Sequence, residues 1–186
     1  MADEPEKSPE DGERPEELDD DIRALRERFG DGVLGAAMHR GQLSAEIAPS
    51  ALAGAAVFLR DARGFKLLTF IAGVDWLELP TPFRFKAVYG LLDLGRAKRL
   101  RLEVPCEDDI EPRLPSVCGV WPTASSHESE AYDMVGIVFG GNDNMERILT
   151  PEGFEGHPHR KDFDINSEPV AFSFRGTPEG KPEAAE

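Results

Sequence analysis

The sequence predicts an α+β fold, with helices packed on a mostly antiparallel mixed sheet, followed by an extended, loop-rich C-terminal segment. Three observations predict it. The chain of 186 residues is long enough for one domain with a sizeable core. Helical patterns are interspersed with apolar stretches of strand length. Beyond Gly136 the chain turns to glycine, proline and asparagine, as in "FGGNDN" and "TPEGFEGHP".

Two helices are predicted in the first third of the chain. In "DDDIRALRERFG", Ile22, Leu25 and Phe29 fall on one face, carboxylates stand at the amino end, and Gly30 ends the helix. A second, short helix begins at Pro49. Its apolar side contains Leu52, Ala56 and Leu59.

Extended segments account for most of the remaining core. The stretch "GVLGAAMHRGQLSAEIAP" predicts a hairpin that turns at residues 40–42. The segments 65–76 and 83–94 are rich in aromatic and aliphatic residues, which is typical of central strands. "KRLRLEVPC" alternates basic and apolar residues, which predicts a strand with one solvated face. Two helical pieces are predicted over 116–121 and 122–134.

Charge and composition divide the chain into four predicted regions. They are an acidic disordered tail (1–20), an α+β domain (21–150), an extended docking segment (151–175) and a polar tail (176–186). Residues 1–21 carry eleven carboxylates against Lys7 and Arg14, within a formal net charge of −15 for the whole chain. Negative charge repels phosphate, so we expect neither nucleic acid nor anionic lipid headgroups as direct partners.

Neither a secretory signal nor a transmembrane segment is predicted. The amino terminus is acidic and has no apolar stretch. The longest uninterrupted apolar run, residues 51–59, is too short to cross a bilayer. We therefore expect no direct transmembrane insertion.

The glycines at positions 30, 32 and 35 match the spacing GxGxxG. A dinucleotide-binding loop needs a strand before it and a helix after it, so that the helix amino terminus meets the pyrophosphate. Here a helix precedes and a strand follows. We interpret these glycines as a helix stop and a turn.

Metal and cluster chemistry have little support in the sequence. Cys106 and Cys118 lack CxxC spacing and are expected to be reduced thiols, too few for an iron–sulfur cluster. A zinc site would combine four side chains, His127, His157, His159 and Asp162. The adjacent cations Arg160 and Lys161 oppose a bound dication, yet a free-standing metal-dependent hydrolase stays open as an alternative.

Acid–base and nucleophilic sites are also poorly supported. Ser125 and Ser126 directly precede His127, but adjacent side chains rarely face one another and no nucleophile elbow surrounds them. Glu128 and Glu130 are two positions apart, so on a helix they point in different directions. We interpret this pair as a solvated helix edge.

The stretches "HESEAYDMVGIVF" and "MERILTPEGFEGHPHRKDF" mix aromatic residues, glycines and charges of both signs, which is typical of a protein–protein interface. Together with "RFKAVYGLLDL" and "KRLRLEVP", they resemble the C-type subunit of NADH-quinone oxidoreductase, the 30 kDa subunit family of respiratory complex I. The resemblance extends from about Leu67 to Phe163 and is strongest over 115–163. Two motifs carry it, an E-x-E-x-x-D-x-x-G segment and a later G-H-P-x-R-K-D segment.

The resemblance implies a non-catalytic scaffold in the hydrophilic arm of the complex, peripheral on the cytoplasmic side of the cell membrane. The implied partners are the large D-type subunit, which lines the quinone cavity, and a cluster-bearing B-type subunit. FMN, iron–sulfur clusters, NADH and quinone would belong to other subunits, with no cofactor, metal or catalytic residue on this chain. The predicted interface residues are Glu128, Glu130, Tyr132, Asp133, Gly136, Arg147, Gly156, His157, Pro158, Arg160, Lys161 and Asp162.

Five positions depart from the family pattern. Ser129 stands where the family has arginine, Val135 where it has an aromatic residue, Asn142 where it has histidine or lysine, Glu146 where it has a basic residue or proline, and Phe154 where it has tryptophan. Basic character is lost at several of these contacts. The alternative is therefore an equivalent scaffold in a membrane-bound hydrogenase-type or ferredoxin- or F420-linked complex.

Overall fold

A computed structural model describes residues 19–164 of the chain. The helices and strands follow one another in the order α1 (Asp20–Phe29), β1 (Val33–His39), β2 (Gln42–Ile47), α2 (Leu52–Asp61), β3 (Leu67–Asp75), β4 (Phe85–Asp93), β5 (Lys98–Pro105), β6 (Arg113–Pro115), α3 (Ala124–Val135) and β7 (Val138–Gly140). Beyond β7 the described residues form turns and bends without a further helix or strand.

Five strands form one mixed sheet in the order β1-β2-β5-β4-β3. Three of its four strand pairs are antiparallel, and only β2 and β5 run parallel. A separate ladder pairs β6 with β7 in parallel. The predicted α+β class with a mostly antiparallel mixed sheet is confirmed.

One face of the sheet forms the core. Alternate residues of β4 and β5 are buried, as the period of two in a strand requires. These residues are Ala87, Tyr89, Leu91, Leu100, Leu102 and Val104. The helices cover this face with apolar side chains such as Leu25, Leu59 and Val135. α3 lies against β3, so the sheet edge supports the helix on which the predicted interface residues begin.

The first half of the chain follows the sequence interpretation. The Asp19 side chain caps α1 by accepting a hydrogen bond from the Asp21 amide at 2.8 Å, and Gly30 ends the helix at φ +49°. β1 follows three residues later, so the GxGxxG stretch is a helix stop and turn. Asp19 and Asp20 belong to the predicted tail but form the cap and first turn of α1. The rest of that tail, and residues 165–186 of the C-terminal regions, lie outside the described part of the chain.

Three predictions need correction. The segment predicted as a central strand, β3, is an edge strand, because among the described residues only β4 pairs with it, while α3 packs against it. Residues 116–121 form a single turn in which the carbonyl of Val117 accepts from Val120 and Trp121, and Pro122 follows. The segment after Gly136 contains β7, which at three residues is too short to show a period.

A buried carboxylate ties α1 to the sheet. Asp21 is fully buried and forms ion pairs with Arg63 at 2.5 Å, Lys98 at 2.5 Å and Arg96 at 3.0 Å. Burial raises the pKa of the Asp21 carboxyl, but hydrogen bonds from Lys98 and Arg63 outweigh burial and lower that pKa below its usual value. The cluster therefore holds Asp21 ionised.

Replacing Asp21 by alanine is expected to lower the free energy of unfolding by about 2 kcal/mol, because several charge-assisted hydrogen bonds are lost. Urea denaturation followed by circular dichroism measures this difference. Asp20→Ala is the matched control, since the exposed Asp20 pairs with the exposed Arg23 and its loss should cost less than about 0.5 kcal/mol. Equal effects of the two variants would contradict the anchoring role.

Candidate functional site

α3 places two carboxylates inside the protein. Glu128 and Asp133 are both fully buried, whereas Glu130 is exposed. The interpretation of Glu128 and Glu130 as a solvated helix edge is therefore wrong for Glu128. Spacing alone shows that the two side chains diverge, but it does not tell which of them faces inward.

Glu128 joins three segments of the chain. Its carboxylate accepts hydrogen bonds from the Val117 amide at 2.8 Å, the Ser116 hydroxyl at 2.8 Å and the Asn142 side-chain amide at 3.0 Å. The Cys118 thiol lies 3.2 Å from the same carboxylate. Glu128 thus fixes the turn before α3 and the turn after β7 on the helix. Asn142, one of the departures from the family pattern, is part of this arrangement.

Both cysteines are free thiols, as predicted. Burial raises the pKa of Cys106 to about 12. Burial, reinforced by the Glu128 carboxylate, also raises the pKa of Cys118. Neither thiol therefore ionises readily near neutral pH.

Asp133 holds the loop that follows β7. Its carboxylate accepts the backbone amides of Ile148, Leu149 and Thr150 at 3.1, 2.7 and 2.9 Å. The Thr150 hydroxyl and the Arg147 guanidinium add bonds of 2.5 and 3.0 Å. Burial raises the pKa of Asp133, but these hydrogen bonds, those from Thr150 first, lower it well below its usual range. The Asp133 carboxylate is therefore a buried anion whose hydrogen bonds come from residues 147–150.

The later motif satisfies the end of α3. A helix leaves its last carbonyls without intrahelical partners. Here the Asp133 carbonyl accepts from the ring of His157 at 3.0 Å, and the Met134 carbonyl from the His159 amide at 2.9 Å. The Val135 carbonyl accepts from the Arg160 guanidinium at 2.8 Å. We call residues 145–163 the strap, because they lie across the last turn of α3 and cap it.

His157 is a structural donor in this arrangement. A carbonyl only accepts, so Nδ1 of the imidazole carries the hydrogen that is shared with Asp133. Burial first, and then the positive charges of Arg160 and Arg147, lower the pKa of His157. The ring also meets Tyr132 edge to face at 5.7 Å. The neutral imidazole is therefore favoured at neutral pH.

Arg147 and Arg84 fasten the strap at two further points. Arg147 also donates to the Gly156 carbonyl at 2.9 Å, which joins the two sequence motifs. At the end of β3, Asp75 accepts two bonds from Arg84 and one from the Lys161 amide. Arg84 in turn pairs with Asp162 at 2.8 Å. Sequence reasoning missed Asp75 and Arg84, since a strand-end ion pair has no local pattern.

The structure does not assemble the proposed metal ligands. Within residues 19–164, no group of three or more histidine, cysteine, aspartate or glutamate side chains is arranged to hold a metal ion. His157 is directed at a carbonyl and Asp162 at Arg84. The buried side chains of the site hold the backbone of the strap and of the end of α3 in place, and other side chains of the strap remain on the surface.

What the site presents to solvent is partly apolar. Ile148 and Leu149 are 44% and 61% exposed, although their amides are held by Asp133. Glu130 on α3, and His159 and Lys161 on the strap, are also exposed. The two apolar residues can be read in "RILTP", but their exposure cannot, because it depends on the hydrogen bonds of their amides to the Asp133 carboxylate.

Gly136 allows the strap to approach the helix. It has φ +85°, and an added Cβ would lie 2.7 Å from the His157 ring and 3.0 Å from Arg160. We expect Gly136→Ala to cost about 1–2 kcal/mol from the left-handed conformation and to loosen the strap. Hydrogen exchange of the His159 amide would detect the loosening. In His157→Ala the ring is absent, so the added cost of Gly136→Ala should be smaller there. Full additivity would contradict the contact.

The chain is similar to known respiratory-chain subunits over most of its length. A family model for the respiratory-chain NADH dehydrogenase 30 kDa subunit matches residues 45–169. The C-type subunit of NADH-quinone oxidoreductase from Roseiflexus sp. strain RS-1 is 42% identical over 155 residues, which cover 82% of this chain and 87% of the relative. Its counterpart in Salinispora arenicola is 38% identical over 175 residues, covering 90% and 71%.

Two solved structures share the fold. The trypsin-resistant fragment of Nqo5 has a TM-score of 0.58 and 32% identity, and covers 65% of this chain and 96% of the fragment. A chain of the membrane-bound sulfane sulfur reductase, an archaeal respiratory membrane complex, has a TM-score of 0.64 and 26% identity. That match covers 82% of this chain and 87% of the other.

Proposed function

The chain belongs to the family of 30 kDa subunits of respiratory-chain NADH dehydrogenase, and from this membership we propose that it is a structural and assembly subunit of the hydrophilic arm of a proton-translocating NADH-quinone oxidoreductase. It supports electron transfer from NADH to quinone without taking part in the chemistry. Its partners are the large subunit that lines the quinone cavity and a cluster-bearing subunit.

The observation that carries the proposal is the exposed apolar pair Ile148 and Leu149, fixed in place by a buried carboxylate. Apolar side chains held rigidly at a surface lose little conformational entropy when a partner covers them. Lys161 on the strap and Glu130 on α3 are exposed and carry opposite charges, as residues at the rim of an interface do.

The predicted interface residues divide into two roles under this proposal. The contact residues are Glu130, Tyr132, Pro158, Lys161 and Asp162. The positioning residues are Glu128, Asp133, Gly136, Arg147, Gly156, His157 and Arg160, which shape the face from inside the chain. For the regions of the chain, we propose that residues 21–150 form the domain and that residues 151–175 form the docking segment, which begins within the strap.

The chain contributes no catalytic residue or cofactor in this proposal. The proposal is supported by the hydrogen bonds of three titratable side chains. Asp133, His157 and Glu128 each bind a backbone group of the same chain. FMN, iron–sulfur clusters, NADH and quinone are assigned to other subunits.

A peripheral position on the cytoplasmic side of the cell membrane fits this role. None of the helices between residues 19 and 164 combines the length and the apolar composition needed to cross a bilayer. Attachment to the membrane would then depend on partner subunits.

A second candidate is the equivalent scaffold in another respiratory membrane complex, of hydrogenase or ferredoxin- or F420-linked type. The likeness to a chain of the sulfane sulfur reductase complex supports it. Ser129 and Asn142 support it as well, because both replace basic residues of the family pattern and both are used internally, Ser129 on the Asn144 carbonyl at 3.1 Å.

Affinity purification from gently solubilised native membranes tests the proposal. A tagged full chain is expected to recover the quinone-cavity subunit, cluster-bearing subunits and an NADH-binding module, identified by mass spectrometry. Recovery of a large subunit with a nickel site would establish the second candidate instead. Recovery of the chain alone would contradict both.

A further inference from the structure

The tips of two hairpins form a basic groove beside the start of α1. Its volume is about 520 Å³. The walls include Arg40, Gly41 and Gln42 from the β1–β2 turn, Lys98 and Arg99 from the start of β5, and Asp19. Asp19 is the one carboxylate among these lining residues, so the groove carries an excess of positive charge.

Two cations of the groove have no partner within residues 19–164. Arg40 and Arg99 are exposed, and neither forms an ion pair with a described carboxylate. Lys98, by contrast, pairs with Asp19 at 2.6 Å and Asp21 at 2.5 Å. Unpaired guanidinium groups at the edge of a concave surface attract carboxylates.

The segment that leads into the groove has the complementary charge. Residues 1–18 carry eight carboxylates against Lys7 and Arg14. They are joined directly to Asp19, which already lies in the groove and pairs with Lys98. Eighteen residues reach well beyond the groove, since an extended chain spans about 3.3–3.6 Å per residue.

We propose that the acidic segment of residues 1–18 occupies this groove, with its carboxylates on Arg40 and Arg99. A single exposed ion pair contributes little. The covalent connection of the segment to α1 compensates for this weakness, because it raises the local concentration of the segment at the groove to about the millimolar range. Several weak pairs in succession then keep the groove covered at low ionic strength.

Paramagnetic relaxation in the full-length chain tests the proposal. A nitroxide is attached at Glu10→Cys, with Cys118 replaced by serine and Cys106 left buried. We expect loss of most of the amide peak intensity of Arg40, Gly41 and Arg99. The peaks should recover in 1 M salt, where the Debye length is about 3 Å.

Reversing the charges of the groove distinguishes binding of the acidic segment from its random approach as a tethered chain. Arg40→Glu combined with Arg99→Glu should restore the intensities at low salt. Lys66→Glu combined with Arg113→Glu should not, since these exposed cations lie outside the groove. Broadening that is absent, or that persists after reversal of the groove charges, would overturn the proposal. A third outcome would also overturn the proposal. If inorganic phosphate shifted the amide peaks of the groove while the nitroxide caused no broadening, the groove would be a site for free anions.

Discussion

Replacing Asp133 by alanine is expected to lower the free energy of unfolding by about 3 kcal/mol. The buried carboxylate accepts three backbone amides, a hydroxyl and a guanidinium. Its removal leaves the Arg147 guanidinium without its buried carboxylate, and the amides of residues 148–150 without their acceptor. Urea denaturation gives the overall loss, and hydrogen exchange should locate it in residues 147–160.

The pH dependence identifies ionisation of Asp133 as the cause. The pKa of Asp133 in the folded chain lies well below its value in the unfolded chain, about 3.9. A lowered pKa contributes stability that is fully present above that unfolded value and is lost as the pH falls towards the folded value. The difference in unfolding free energy between the wild-type chain and Asp133→Asn should therefore shrink below about pH 4.

A milder variant provides the matched control. Thr150→Val removes one hydroxyl bond to Asp133 but leaves the three amides and Arg147 in place. It should cost about 1 kcal/mol. If Asp133→Ala were no more destabilising than Thr150→Val, the carboxylate would not be what holds the loop.

The second large effect is expected on assembly. Replacing both Ile148 and Leu149 by serine should weaken association with the partner by about 3 kcal/mol, or about a hundredfold in Kd, because two apolar side chains no longer bury their surface. The isolated chain should stay folded, since both side chains are exposed and the backbone bonds to Asp133 remain.

Yield of the purified complex and NADH–quinone activity of membranes measure the effect. Leu94→Ser is the control, because Leu94 is 74% exposed and lies just after β4, away from the strap in sequence. If yield and activity were unchanged with Ile148 and Leu149 both replaced, the proposal that these two side chains contact a partner subunit would be contradicted. A comparable loss with Leu94→Ser would show that the effect is not specific to it.

Local features of the fold could be predicted from the sequence. α1 is predictable because Ile22, Leu25 and Phe29 lie at helical spacing and Gly30 ends the run, all within ten residues. The edge position of β3 could not be predicted, because strand order is decided by pairing between distant segments. β6 and β7 are each three residues long and gain their register from one another.

The candidate site shows the same division. The resemblance located Asp133 and the G-H-P-x-R-K-D segment, but the bonds between them join residues 24 to 25 positions apart. The burial of Glu128 likewise depends on Ser116 and Asn142, at 12 and 14 positions from it. Such contacts leave no periodic pattern in the sequence. The sequence therefore predicted a docking segment but did not show that the G-H-P-x-R-K-D segment caps the end of α3 in the same chain.

Site-specific crosslinking reports whether Ile148 and Leu149 contact the quinone-cavity subunit, as we propose. A photo-crosslinking residue is placed at position 149 of the full chain, or at position 94 as the control, and gently solubilised native membranes are irradiated. We predict a covalent adduct with the quinone-cavity subunit from position 149 and none from position 94. Absence of an adduct from position 149, or an adduct with the large subunit of a hydrogenase-type complex, would contradict the proposal.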